Sequence, residues 1–288
     1  MLRADDQGFE VSGILITGGS GFLGRALARR LLSEGYERVC IYSRGEHTQA
    51  KMFDDFDRHP NLRMLIGDVR DQPRLAWAMR SCDTVIHASA LKRVEVGERN
   101  PIEMIKTNVN GATNVVEAAI AEGVERAVLV SSDKAYQPIS PYGTSKAMAE
   151  SLFLAANNTV VKGTTRFAVV RYGNVAGSTG SVIPRWRERI AAGLPVEITD
   201  PDATRFWMTI DRAVDFVLSA ADCLRPLMVP SLPAFRVGDL VEALGVVKFV
   251  VTGLPQHEKK HECMAEGNCS NTARRMTVDE LREALTHV

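Results

Sequence analysis

The stretch ILITGGSGFLGRALARRLL, Ile14–Leu32, constrains the fold more than any other part of the chain. An apolar run, Ile14–Thr17, feeds into Gly18, Gly21 and Gly24. Arg25–Glu34 then carries helical periodicity, with Ala26, Leu27, Leu31 and Leu32 on one side. Strand, glycine turn and helix at this spacing form G-x-x-G-x-x-G, a variant of the dinucleotide fingerprint. Glycines let the backbone approach a pyrophosphate, and the helix N-terminus supplies N–H donors and the positive end of its dipole. Three glycines alone also suit a plain turn and cap. Their place at the first strand–helix junction favours a cofactor site built from Gly18, Ser20, Gly21, Phe22, Leu23 and Gly24.

Further strands are expected at Val39–Tyr42, Leu62–Ile66, Thr84–His87, Ala127–Val130 and Ala168–Arg171, with helices at Asn108–Ala121 and Ser145–Ala156. Strand and helix in alternation require crossover connections and a parallel sheet. The expected class is α/β, a Rossmann-type doubly wound parallel sheet over residues 1–173. After about Asn174 the pattern loosens. Short helices fit Arg185–Ala192, Ile210–Cys223, Val237–Leu244 and Val278–Leu285. A smaller α/β substrate-binding lobe over 174–288 follows, with strands returning to the main sheet possible.

Thirty-five basic residues balance 35 acidic ones, so the excess that draws nucleic acid is missing. No apolar run reaches the roughly 18–20 residues of a membrane span, and MLRADDQGFE lacks the apolar core of a secretory leader. Five cysteines, Cys40, Cys82, Cys223, Cys263 and Cys269, are few and scattered, and read as reduced thiols of a cytoplasmic protein. One motif points elsewhere. His257-Glu258-Lys259-Lys260-His261 matches the zinc-protease pattern H-E-x-x-H. That pattern works only on a helix, where the two histidines share a face. The preceding Gly253-Leu254-Pro255-Gln256 argues for a loop, so no metal site is expected.

The second strand ends in Ser43-Arg44. A carboxylate there would hold the ribose 2′-hydroxyl of NAD, whereas Ser-Arg suits a 2′-phosphate and favours NADP over NAD. A solvated loop arginine is the plainer reading. Asp68 and Val69 follow the third strand, where an adenine edge can be held; Asp68 equally suits capping of the next helix. The chemistry sits in SSDKAYQPISPYGTSK, Ser131–Lys146. Tyr142 and Lys146, four apart at a helix start, share a face. An ammonium beside a phenol favours the phenolate, which can take a proton from a sugar hydroxyl as hydride leaves. Ser132, just after a strand, can hydrogen-bond the same hydroxyl.

In order, TGGSGFLG, GDVRD, HASALK, SSDKA, Y-x-x-x-K, RYGNVAGS and TRFW resemble the extended short-chain dehydrogenase/reductase family over about Ile14–Met264. Within it the chain is most similar to the inverting UDP-N-acetylglucosamine 4,6-dehydratases. The resemblance implies oxidation at sugar carbon 4, loss of the carbon 6 hydroxyl as water, and hydride return to carbon 6. It implies Lys134 as base at carbon 5 and Asp133 as acid for the leaving hydroxyl, which requires a neutral lysine and a protonated aspartate when they act. Retaining relatives carry Asp-Glu at this point; the lysine indicates inversion. It further implies Ala88, Ser89, Ala90, Lys92, Thr107, Asn108, Lys146 and Val175 around the cofactor. Lys92, Asn174, Ser178, Ser181, Val182, Arg205 and Glu258 are implied around a UDP-sugar. A homo-oligomer is expected. Two departures bear on the diphosphate: Pro255 stands where the family has arginine, and Thr179 replaces a common basic residue.

Overall fold

Strands buried on both faces read as unbroken apolar runs, and Gly13–Thr17 and Thr84–His87 are of this kind. The computed structural model describes residues 13–160, 164–222 and 225–288. In it β1 (Gly13–Thr17), α1 (Phe22–Ser33), β2 (Arg38–Ser43), α2 (Glu46–Asp55), β3 (Leu62–Ile66), α3 (Gln72–Met79) and β4 (Thr84–His87) alternate as expected. Then come α4 (Val94–Arg99), α5 (Pro101–Met104), α6 (Gly111–Ala121), β5 (Arg126–Val130), α7 (Pro141–Ala156) and β6 (Arg166–Val170). Ile105–Asn110, between α5 and α6, is wound as a wider π-helix, a form that recurs at functional sites.

All neighbouring strands of the main sheet run parallel, in the order β3-β2-β1-β4-β5-β6-β9. The strand period of two sends alternate residues into two different cores. Ile14, Ile16, Val39, Ile41, Val128 and Val170 face a layer that includes Leu27 and Leu31 of α1. Leu15, Tyr42, Val85, Leu129 and Val169 face Leu75, Val115 and Phe153, from α3, α6 and α7. The order reverses between β1 and β4, so the crevice at the carboxyl ends of the strands opens there.

Beyond β6 the chain forms α8 (Val182–Ala191), β7 (Val196–Ile198), β8 (Thr204–Phe206), α9 (Ile210–Asp222) and β9 (Leu227–Met228). It ends with β10 (Ala234–Arg236), α10 (Val237–Ala243), β11 (Phe249–Val251), β12 (Cys263–Ala265), β13 (Asn268–Cys269) and α11 (Val278–Leu285). Several of these pieces rejoin the first half, Phe206 of β8, Ala234 of β10 and Met264 of β12 entering the α1 core. Helix α9 packs Val214 and Val217 onto the α1 core, and β9 pairs with β6 as the last strand of the sheet. The rest surrounds a separate core of Ile183, Trp186, Trp207, Phe235, Leu240 and Leu281.

The cysteine reading needs correction. Cys263 and Cys269 face each other across β12 and β13 and form a disulfide. Gly267, at φ +71°, closes the turn that brings them together. Cys40 and Cys82 are free and buried; Cys223 and the leader region lie outside the described residues. No helix among the described residues is long and apolar enough to cross a membrane.

Candidate active site

The turn after β1 has the shape its glycines suggest. Gly18 sits at φ +68°, and a Cβ there would lie 2.9 Å from the Ala88 carbonyl oxygen and Ser89 nitrogen. Gly21 is the N-cap of α1, with no side-chain cap and no acidic residue in the first turn. The amides of Phe22, Leu23 and Gly24 are therefore open to an anion. A Cβ on Gly21 would meet only the Gly18 carbonyl, at 3.1 Å, so the space above the turn is left for a ligand. These residues fit a dinucleotide.

At the end of β2, Ser43 Oγ lies 2.9 Å from Ser20 Oγ and accepts from Gln49 Nε2 at 3.0 Å. Arg44 is exposed, its nearest carboxylate oxygen being Asp68 Oδ2 at 3.9 Å. Asp68 does not cap α3; Asp71 does, accepting from the Arg74 amide at 3.1 Å. Asp68 instead binds the Arg70 amide and guanidinium, at 3.0 and 2.7 Å. Burial pushes its carboxyl up, but Arg70 outweighs this and holds it below its usual range. Val69 is buried, and its carbonyl accepts from Asn114 Nδ2 at 2.8 Å.

The Ala88–Ala90 turn is braced from behind. His87 Nδ1 and Thr17 Oγ1 are 2.7 Å apart, and Thr17 Oγ1 also accepts the Ser89 amide at 3.3 Å. Complete burial lowers the His87 pKa to about 3, so it is a neutral strut. Asn108, in the π-helical segment, accepts from the Leu91 amide at 2.8 Å. It donates to the Leu91 carbonyl at 3.0 Å and to Ser145 Oγ at 2.9 Å. Its hydrogen bonds thus tie the loop carrying Lys92 to α7 through Ser145. Thr107 Oγ1 beside it is buried without a partner.

After β5, Ser132 caps a single 3₁₀ turn, Asp133–Ala135. Ser132 Oγ lies 2.9 Å from Asp133 Oδ1, and Lys134 Nζ lies 3.2 Å from that same oxygen. Gly143, in the first turn of α7, is packed so closely that a Cβ would come 2.4 Å from the Lys134 carbonyl oxygen. Only glycine lets Tyr142 approach the Asp133–Lys134 turn this way. Burial raises the Tyr142 pKa; the opposing influences are the Lys134 charge and the Ser132 hydroxyl. This departs from the expected partnership with Lys146. The Lys146 ammonium instead donates to the Val130 carbonyl at 2.7 Å, and burial lowers its pKa to about 8, against the pull of Glu150.

Lys134 is the centre of a charge cluster the sequence does not announce. Its Nζ lies 3.3 Å from Glu262 Oε1 as well as 3.2 Å from Asp133 Oδ1. Burial disfavours its charge, but the two carboxylates outweigh burial and hold it protonated. Behind the cluster Glu150, buried, accepts from Ser131 Oγ at 2.5 Å and pairs with Arg171. Its position four residues after Lys146 was the available signal.

On the lobe side, Arg205 and Glu258, both expected at the substrate, pair with each other. Arg205 also donates to the carbonyls of Thr204 and Lys260, at 2.8 and 3.0 Å. Asn174 is exposed after β6, and Val175 bridges to Met208. Ser178 accepts the Ser181 amide through its carbonyl at 2.9 Å. Ser181 is the N-cap of α8 without a side-chain cap bond, and its Oγ is buried with no partner. The amides at the start of α8, beginning with Val182, therefore have no side-chain acceptor, and a buried hydroxyl without a partner lies beside them. Arg93, which sequence reasoning passed over, places Nη2 3.4 Å from the Cβ position of Gly180 at this same turn. His257–His261 is a turn leading to a bridge, not a helix, and His261 Nδ1 lies 2.9 Å from Thr204 Oγ1. The shared face that H-E-x-x-H requires is not formed.

Residues 14–280 match the family model described as polysaccharide biosynthesis protein. The UDP-N-acetylglucosamine 4,6-dehydratase (inverting) of Campylobacter jejuni subsp. jejuni serotype O:2 is 42% identical over 269 residues, 91% of this chain and 80% of that protein. The UDP-glucose 4-epimerase of Rickettsia akari is 39% identical over 261 residues, 86% of this chain and 75% of that protein. The structure of the dTDP-glucose 4,6-dehydratase DesIV from Streptomyces venezuelae, solved with NAD, superposes with a TM-score of 0.80 at 22% identity, covering 95% of each chain. With its parallel seven-stranded sheet, its glycine turn and these relatives, the chain belongs to the polysaccharide biosynthesis protein family, within the extended short-chain dehydrogenases/reductases.

Proposed function

We propose that the protein is an NADP-dependent nucleotide-sugar 4,6-dehydratase acting on UDP-N-acetylglucosamine with inversion at carbon 5. The observation that carries this reading is the Asp133–Lys134 pair, 3.2 Å apart and adjoining Ser132 and the Tyr142 helix turn. NADP held over the Gly18, Gly21 and Gly24 turn would supply a hydride acceptor for sugar carbon 4 and a hydride donor for carbon 6. Tyr142, as phenolate, takes the carbon 4 hydroxyl proton, with Ser132 holding that oxygen. A carbonyl at carbon 4 acidifies the proton on carbon 5. Elimination then needs one base and one acid, and a pair sharing one proton supplies both. Lys134 as amine takes the carbon 5 proton; Asp133 as acid protonates the departing carbon 6 hydroxyl. Carbon 4 epimerisation, the second reading, is favoured by the Rickettsia relative, but it needs no such pair. Proton NMR of UDP-N-acetylglucosamine with protein and NADP in heavy water is expected to show a 6-deoxy-4-keto sugar, deuterated and inverted at carbon 5. A carbon 4 epimer alone would establish the epimerase instead. Asp133→Asn is expected to lower dehydration by about 10²–10⁴-fold.

The NADP preference rests on Arg44 and on the absence of a carboxylate at Ser43. Arg44→Ala is expected to weaken NADP binding at least tenfold, about 1.4 kcal/mol, and NAD binding little, by isothermal titration calorimetry. Equal losses for both would remove the preference.

For the diphosphate, the cation at the α8 N-terminus is read as Arg93, in compensation for Pro255 and Thr179. Arg93→Ala is then expected to raise KM about tenfold or more, the scale of one charge-assisted hydrogen bond, with kcat nearly unchanged.

A homo-oligomer in the cytoplasm completes the reading. Val96, Ile102, Ile105, Ile120 and Met148 leave apolar surface exposed on α4–α7 and the π-helical segment. Light scattering is expected to give at least twice the chain mass, falling to one chain in Ile102→Glu/Ile105→Glu.

A further inference from the structure

Glu262 has no role in the reaction just described, yet it lies against its central residue. The side chain is buried, and its Oε1 is 3.3 Å from Lys134 Nζ. Its Oε2, 3.9 Å from Lys259 Nζ, has no hydrogen-bond partner. The backbone is clamped. The Glu262 amide donates to Ser270 Oγ at 2.9 Å, the Ser270 amide donates to the Glu262 carbonyl at 2.7 Å, and Ser270 Oγ reaches the Thr204 carbonyl at 3.0 Å. Lys259 Nζ in turn donates to the Tyr136 carbonyl at 2.6 Å, just past the 3₁₀ turn that carries Lys134. A buried carboxylate held this rigidly, with one oxygen on Lys134 and the other unbonded, does more than fill space.

We propose that Glu262 is a positioning residue for the acid–base pair: it fixes Lys134 Nζ between two buried carboxylates and keeps the pair's shared proton from escaping at alkaline pH. This rests on the dehydratase reading for its catalytic consequence, but not for the interaction itself. The pair works with one proton between its members. Passing that proton from Lys134 nitrogen to Asp133 oxygen breaks one N–H bond and forms one O–H bond, with no charge gained or lost by the pair. Losing it to solvent leaves an amine and a carboxylate, with no acid for the leaving hydroxyl. The charged and titratable groups facing the cluster are Asp133, Tyr142, Arg205 with its partner Glu258, and Lys259. Asp133, Glu262 and, less strongly, Tyr142 favour the Lys134 ammonium, and Arg205 opposes it. Removing the Glu262 charge therefore lets the proton leave at lower pH.

The test uses the full chain and needs neither substrate nor cofactor for its first readout. Competitive acetylation with acetic anhydride across a pH series, read by peptide mass spectrometry, gives the pH at which Lys134 becomes nucleophilic. In Glu262→Gln that midpoint is expected to fall by about one pH unit or more, the scale of a lost neighbouring charge. Glu262→Asp, which keeps the charge but withdraws it by a methylene, is expected to shift it less. The second readout is turnover. The alkaline limb of kcat for UDP-N-acetylglucosamine is expected to move down by the same interval in Glu262→Gln, with KM changed less than about threefold, which is under 0.7 kcal/mol. A Lys134 midpoint unmoved in Glu262→Gln overturns the proposal, as does an alkaline limb that stays in place while the midpoint moves. Should Glu262→Gln fail to fold, an unmoved midpoint in Glu262→Asp overturns it equally. If the wild-type protein turns over no UDP-N-acetylglucosamine, the dehydratase reading fails, and the acetylation midpoints still decide the role of Glu262.

Discussion

A lysine ammonium between two buried carboxylates is the interaction around which the rest of this structure is arranged. Taking such charges out of water costs several kcal/mol per ion, and leaving one without its partner costs more than the pair returns. The cluster is tolerable because it is balanced: Asp133 and Glu262 face Lys134 and Lys259. It also draws on distant parts of the chain. Asp133 and Lys134 come from the end of β5, and Glu262 leads into the β12–β13 hairpin. That hairpin is tied down twice, by Ser270 to Thr204 and by Arg171 donating to the Met264 carbonyl at 2.7 Å. Arg171 is itself half of the buried pair with Glu150. Loss of any of these partners would expose an uncompensated charge beside the reacting groups.

The parallel sheet explains why these groups meet. Every strand of the first half ends at the same edge, so the turns after β1, β2, β4, β5 and β6 all open into one crevice. Two close backbone approaches then set the depth of the site. Gly18 lets the first turn lie against Ala88 and Ser89, and Gly143 lets α7 lie against the Lys134 carbonyl. The first joins the cofactor cradle to the turn after β4; the second joins Tyr142 to the acid–base pair. Neither tolerates a side chain without backbone movement, since the opposing atoms are main chain rather than flexible side-chain ends.

Much of this was legible in the sequence because it depends on local pattern. Leu62–Ile66 and Thr84–His87 are strands with the expected limits, since apolar runs between turn residues leave few other conformations. The glycine turn joins β1 to α1, Ser132 follows β5 and Tyr142 stands in the first turn of α7, the local positions their spacing suggests. What escaped notice depends on contacts between residues far apart in the chain. Glu262 reads as one more acid in a charged loop until β12 and β13 fold it onto Lys134. The disulfide escaped because Cys263 and Cys269 become neighbours only once a hairpin turns at Gly267. The charge of Lys134 acting on Tyr142 has a related origin. Helical spacing does bring Lys146 to the same face, but its ammonium finds a nearer acceptor in the Val130 carbonyl, and the cation acting on the phenol comes from another element. Arg205 and Glu258 each suit a ligand as single residues, while the fold pairs them with each other.

That last pairing changes how the lobe can hold a diphosphate. An arginine already bound to a carboxylate and two carbonyls has little guanidinium left to offer, so Arg205 shapes the wall of the site more than it grips an anion. With Pro255 and Thr179 uncharged, the positive end must come from elsewhere. The start of α8 presents uncapped amides and the unpartnered Ser181 hydroxyl, and the guanidinium of Arg93 lies across Gly180 at the same point. On the reading proposed above, a helix N-terminus and a guanidinium that approaches from the turn after β4 act as a clamp whose halves belong to different parts of the chain. In such an arrangement the binding energy of the nucleotide end serves to orient the sugar at the acid–base pair, which is how groups remote from the reacting carbon contribute to its rate.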